Sequence, residues 1–250
     1  MIVLKSPREL ALMRHANQIV AETHAFLAEK IEVGITTAEL DRLCEEYIRS
    51  KDATPSFKGY RGYPASLCIS INEEVVHGIP SKNRLINDGD LVSLDIGAFY
   101  QGFHGDAARS LGVGKVSNQG KRLIKVCEES FYKGIEVAIA GRRLTDISHQ
   151  IQKHAESQGF SVVRDYVGHG IGRQMHEAPQ IPNFGPANRG PKLKLGMTLA
   201  IEPMINIGTF EVEALEDAWT VVTRDGELSA HYENTIAITE NGVEILSLLE

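Results

Sequence analysis

The chain has 250 residues, 42% hydrophobic and 24% charged, the proportions of a globular protein able to bury one large core or two small ones. Its formal net charge of −7 argues against direct nucleic-acid readout, which needs a concentrated basic surface; the densest basic stretch, 189–194, holds three cations. Three scattered cysteines (Cys44, Cys68, Cys127) with no CxxC pair argue against thiolate zinc and a disulfide framework and point to a reducing cytoplasm, and there is neither a signal-peptide core nor an apolar run of about 18 residues that could enter a membrane.

Along the chain, Ser6-Pro7-Arg8-Glu9 reads as a capping box with proline at the first helical position, and Leu10, Met13, Val20 and Leu27 continue the helix to about Lys30. A second helix starts at Thr36, with Glu39 three residues on and an apolar stripe through Leu40, Leu43, Cys44, Tyr47 and Ile48. Strands are expected at 65–71, 90–100 and 103–113, the last two forming a hairpin punctuated at Gly102. Helices are then expected at 121–138 and, after a turn at Gly141, 145–157, followed by strands at 161–167, 197–207, 218–222, 234–239 and 243–246. The order helix, turn, helix, strands occurs twice, and GITTAEL (34–40) aligns loosely with GRRLTDI (141–147). The expectation is one α+β catalytic domain over 1–250, with pseudo-symmetric halves of about 1–115 and 116–250 and a groove between them.

Five residues on or beside these strands have the chemistry of metal ligands. Asp95 alternates against Leu94 and Ile96, so it points away from their face; Asp106 lies on the partner strand of the hairpin. His169 is flanked by glycines in GHGIG, and Glu233 stands where a strand begins. Glu202 is an acid in the apolar stretch TLAIEPMI, and an ionised carboxylate is almost never buried unless paired or metal-bound. Arg109 could pair with one carboxylate, not with four. Four carboxylates and one imidazole suit two divalent ions, with cobalt, manganese, iron and zinc all open by ligand type. Two such ions can acidify a water and polarise an amide carbonyl. His77 and His176 are candidates to hydrogen-bond a carbonyl or the oxyanion formed from it, whereas His104, His149, His154 and His231 read as structural or solvent-facing.

The ordered set NEEVVHGIP (72–80), the DIG at Asp95, the GD at Asp106, GHGIG (168–172), HEAP (176–179), AIEPM (200–204) and the ENT at Glu233 resembles the methionine aminopeptidases of the short bacterial type I form, through essentially the whole chain. The resemblance implies the pita-bread fold: a pseudo-two-fold α+β body with a central antiparallel sheet flanked by helices and two metals in its cleft. It implies Asp106 and Glu233 as ligands bridging both ions, Asp95 as the bidentate ligand of one, and His169 with Glu202 as ligands of the other. Glu202 would also be the general base, His77 would contact substrate and help the N-terminal amine react, and His176 would stabilise the scissile carbonyl. Tyr60, Tyr63, Cys68 and Trp219 match an apolar, aromatic methionine pocket. Phe57 and Met175 stand where family members commonly have cysteine and phenylalanine, which changes that pocket's shape.

The activity implied is removal of the N-terminal methionine from new proteins when the second residue is small, by a cytoplasmic monomer that associates transiently with the ribosome. Two other readings share the fold: an aminopeptidase P or prolidase-like peptidase, which usually carries a large extra N-terminal domain, and a non-catalytic binding protein, which normally loses ligands that are all present here.

Overall fold

The protein is described by a computed structural model over residues 1–249. Four helices form where the sequence supplies caps. Helix α1 (Pro7–Ala28) starts at the expected box: the Ser6 amide donates to Glu9 Oε2 at 3.0 Å, and the Glu9 amide donates to Ser6 Oγ. Helix α2 (Thr37–Ser50) is capped by Thr36, whose Oγ1 accepts from the Glu39 amide at 3.1 Å. Helix α3 (Asn118–Ile135) begins three residues earlier than its periodicity predicts, because Ser117 Oγ caps it through the Gly120 amide. In α4 (Leu144–Ser157), Asp146 reaches back to accept from the Arg143 amide.

The strands are β1 (Thr54–Pro55), β2 (Leu67–Ile71), β3 (Glu74–Val76), β4 (Leu91–Tyr100), β5 (Phe103–Gly112), β6 (Ser161–Val162), β7 (Gly168–Gly170), β8 (Glu177–Ile181), β9 (Thr198–Ile201), β10 (Met204–Asn206), β11 (Val212–Ala214), β12 (Val221–Thr223), β13 (Ser229–His231), β14 (Glu233–Thr239) and β15 (Gly242–Ile245). Among the described residues the main antiparallel sheet runs β1-β4-β5-β14-β9-β7-β8, with β2 also on β4 and β15 also on β14. Two small sheets, β13-β10-β6 and β11-β12-β3, complete the strand pairing. The β4–β5 hairpin pairs Tyr100 with Phe103 across Gln101 (φ 45°) and Gly102 (φ 88°), a two-residue turn with both central residues left-handed.

Three expected strands are corrected. The 197–207 strand breaks at Glu202-Pro203: proline has no N–H for the ladder, and the chain passes there from the main sheet to a three-stranded one. The 161–167 strand stops at Val162. The 218–222 strand starts only at Val221, because Asp217 Oδ1 accepts the amides of Trp219 and Thr220, each at 2.8 Å, and holds them in a turn.

Helices α1 and α2 bury Ile19, Val20 and Leu40 against Leu94 and Ile96 of β4. Helices α3 and α4 bury Phe131 and Ile151 against Leu199 of β9 and Ile236 of β14. The seam joining these two packed units is the short β5–β14 pairing, Glu233 opposite Ala108 and Asn234 opposite Ala107. Strand alternation puts Asp95 on the face opposite Leu94 and Ile96.

Candidate metal centre

Asp106 and Glu233 lie on the two strands of that seam, and their surroundings hold them in place. The Asp106 amide donates to Asn17 Oδ1 at 3.2 Å and its carbonyl accepts from Thr235 Oγ1 at 2.9 Å. Among the described residues Arg109 pairs with no carboxylate, contrary to the pairing considered from sequence. Its guanidinium instead donates to the carbonyl of Glu233, to Asn234 Oδ1 at 2.6 Å and to the Ser247 carbonyl at 3.1 Å, fastening the strand that carries Glu233. Asp95 comes from the same hairpin as Asp106. Glu202 turns inward at the break after β9, where its carbonyl accepts from Asn183 Nδ2 at 3.0 Å.

The glycines around His169 have a steric cause. Strand β7 is clamped between β9 and β8, and a Cβ would lie 2.4 Å from the Ala200 carbonyl oxygen at Gly168 and 2.3 Å from that of Ala178 at Gly170. His169 Nδ1–H donates to the Gly170 carbonyl at 2.9 Å, which leaves the Nε2 lone pair free. That Nε2 stands 3.7 Å from Asp106 Oδ2 and 3.6 Å from Glu202 Oε1.

The donor set fits divalent cations. Asp106, His169 and Glu233 are buried, and each offers an atom within 4.8 Å of the others'. Asp95 Oδ1, Asp106 Oδ1 and Glu233 Oε1 are buried oxygens without a hydrogen-bond partner, a costly state that a bound cation relieves. Burial first, then repulsion from neighbouring carboxylates, pushes Asp106, Glu202 and Glu233 well above the usual carboxylate range. Burial raises Asp95 to about 7. Burial also lowers His169 to about 3, so its ring is neutral and able to ligate.

All of these side chains face one cavity of about 150 Å³, together with His77, His176, Phe57, Tyr60, Tyr63, Cys68, Met175 and Trp219, so every residue singled out from the sequence is gathered there. Phe57, Tyr63, Cys68 and Met175 form a buried apolar cluster with Tyr60 and Trp219 packed on it. His176 Nδ1 shares a hydrogen bond of 2.9 Å with the Tyr60 hydroxyl, which fixes the ring, and the ring lies 4.2 Å from that of His169. Burial, followed by the charge of Arg61, lowers its pKa. Burial, followed by His176, lowers His77 to about 4, and its ring meets Tyr166 and Trp219 edge-on. Two nearby residues were not legible as part of the site. Arg61 lines the cavity, and His231, read as structural, brings Nε2 to 3.9 Å from Glu233 Oε2.

Comparison with known proteins agrees with this geometry. The pattern of metallopeptidase family M24 matches residues 11–240. A methionine aminopeptidase of Clostridium acetobutylicum is 57% identical over 250 residues, covering 100% of both chains. The crystal structure of a Thermotoga maritima methionine aminopeptidase superposes with a TM-score of 0.98 at 48% identity, covering 99% of this chain and 100% of that one. A Pyrococcus furiosus prolidase, 24% identical, shares the pita-bread fold alone, with a TM-score of 0.80 over 99% of this chain and 66% of its own. With the fold, the donor set and nearly the whole sequence in accord, the chain belongs to metallopeptidase family M24.

Proposed function

We propose that this protein is a methionine aminopeptidase that uses two divalent cations and acts on chains whose second residue is small. The observation that carries the reading is the convergence of five metal-type donors, two neutral histidines and an apolar pocket on one cavity. In this reading Asp95, Asp106, His169, Glu202 and Glu233 would hold the cations, with cobalt, manganese, iron and zinc all suited to these donors. Cations bound there supply Lewis acidity, an acidified water and a polarised amide carbonyl.

The remaining work falls to the chain's own side chains. Phe57, Tyr63, Cys68, Met175 and Trp219 bind the methionine side chain, whose sulfur packs well on ring edges. Glu202 takes up the proton lost by the attacking water. His176, with Nδ1 occupied by Tyr60, donates Nε2–H to the scissile carbonyl oxygen as that oxygen gains charge. His77 orients the N-terminal amine. The setting we propose is a cytoplasmic monomer with transient access to the ribosome. It is supported by three buried free cysteines and by the absence, among the described residues, of a helix long and apolar enough to cross a membrane.

The test is release of free methionine. Manganese- or cobalt-loaded protein cleaves Met-Ala-Ser, spares Met-Lys-Ser, leaves Ala-Pro substrates intact and loses activity in a chelator. Full activity in the chelator, or preference for Ala-Pro, refutes the proposal.

A further inference from the structure

The cavity contains a single guanidinium. Arg61 lines it alongside the five donors and both histidines, yet is itself exposed, which places it at the mouth. Among the described residues it pairs with no carboxylate. Its guanidinium lies over the Tyr60 ring at 5.4 Å, and Tyr60 is the residue whose hydroxyl holds His176. The Arg61 backbone is left-handed, at φ 50° and ψ 21°, a conformation strained for a residue with a Cβ. A turn that glycine or asparagine would enter with less strain thus carries a long cation to the rim of the site.

Arg61 is the one lysine or arginine among the residues that line the cavity, and no side chain there neutralises it. A substrate whose methionine lies in the apolar pocket and whose carbonyl lies at the acid cluster sends the rest of its chain outward. An extended chain advances about 3.3–3.6 Å per residue, so the residues that follow the cleaved bond are led toward Arg61 at the mouth.

Resting on the aminopeptidase reading above, we propose that Arg61 is a specificity-determining residue that binds a carboxylate of the substrate chain downstream of the cleaved bond, favouring peptides with an acidic side chain at the third or fourth position. The probes are the C-terminal amides of Met-Ala-Asp-Ser and Met-Ala-Ser-Asp and their lysine counterparts, with Met-Ala-Ser as free acid and amide. Each is assayed on manganese-loaded wild type, R61Q and R61K.

Wild type favours aspartate over lysine by roughly threefold to fivefold in kcat/KM at low salt, the size expected of a solvent-accessible ion pair. The preference shrinks at about 1 M salt, where the screening length is about 3 Å. R61Q brings the ratio close to one, and R61K retains most of it. A wild-type ratio near one at both positions, or a ratio that R61Q leaves unchanged, overturns the proposal. An R61Q effect confined to the free acid of Met-Ala-Ser overturns the side-chain assignment and gives the carboxylate to the chain terminus. Failure of wild type to cleave Met-Ala-Ser at all strikes the aminopeptidase reading instead, a result separate from a lost preference.

Discussion

Glu202 sits where the chain leaves one sheet for another, next to a proline that cannot join either ladder, so its carboxylate is free to turn into the cavity. In the metal-free chain burial, then the charges of Glu233 and Asp95, raises its pKa well above the usual carboxylate range. Glu202→Gln should lower kcat by about 10²–10⁴-fold with an unchanged far-ultraviolet dichroism spectrum; near wild-type turnover would remove it from the chemistry. A second buried group bears on stability. His24 donates from Nε2 to the Ala107 carbonyl at 2.8 Å, beneath the seam, and burial lowers its pKa from 6.5 to about 3. As pH falls below about 6.5 the unfolded chain gains a proton that the folded chain refuses until about pH 3. The contribution of this neutral histidine is therefore whole above pH 6.5 and is lost toward pH 3, by about 1.4 kcal/mol per pH unit. Urea unfolding of metal-free protein at a series of pH values should show that slope reduced by one such increment in His24→Gln, and an unchanged slope would contradict it.

The strands and helices differ in how openly the sequence announces them. Helix α1 is written in Ser6, Pro7 and Glu9, and the β4–β5 hairpin in ten-residue runs around Gln101-Gly102. Strands β7 and β8 are not, because glycine and proline in GHG and EAPQI are weak strand formers. What makes them strands is tertiary: the closeness of three backbones at Gly168 and Gly170. The site follows the same division. Glu202, and Asp95 more mildly, stand out as acids among apolar neighbours, while Asp106 and Glu233 are marked by their strand positions and by the GD and ENT motifs. Arg61 and the supporting Asn17 and Thr235 are ordinary residue types whose importance comes from neighbours far away in the chain. Strand β7 offers a sharp check. Gly170→Ala places a Cβ 2.3 Å from a carbonyl oxygen and must shift the strand that holds His169. The expected result is a loss of stability of about 1–3 kcal/mol with metal affinity weakened about 10–100-fold by calorimetric titration. Wild-type affinity would mean that β7 does not position the imidazole.

Over the whole molecule, two helix-backed cores are joined within the main sheet by the β5–β14 seam, with β3 pairing to β12 as a second link, and the acid cluster straddles the seam. We propose that the chain is one catalytic domain of two related halves, about 1–115 and 116–250. In support, α2 and α4 both follow turn segments anchored by isolated bridges, Thr36 to Leu85 and Arg143 to Lys192. Cations at such a seam bind the folded chain and relieve the repulsion across it, so metal and stability are linked. At 100 times its dissociation constant, manganese should add about 2.7 kcal/mol, a rise in Tm of roughly 5–10 °C that a chelator reverses. A Tm insensitive to both would separate the acid cluster from metal binding. The decisive observation is an anomalous difference map from crystals grown with manganese. Two peaks roughly 3.5–4 Å apart, enclosed by Asp95, Asp106, His169, Glu202 and Glu233, are the expected result; a cavity without peaks, with manganese bound elsewhere on the protein, would contradict the assignment.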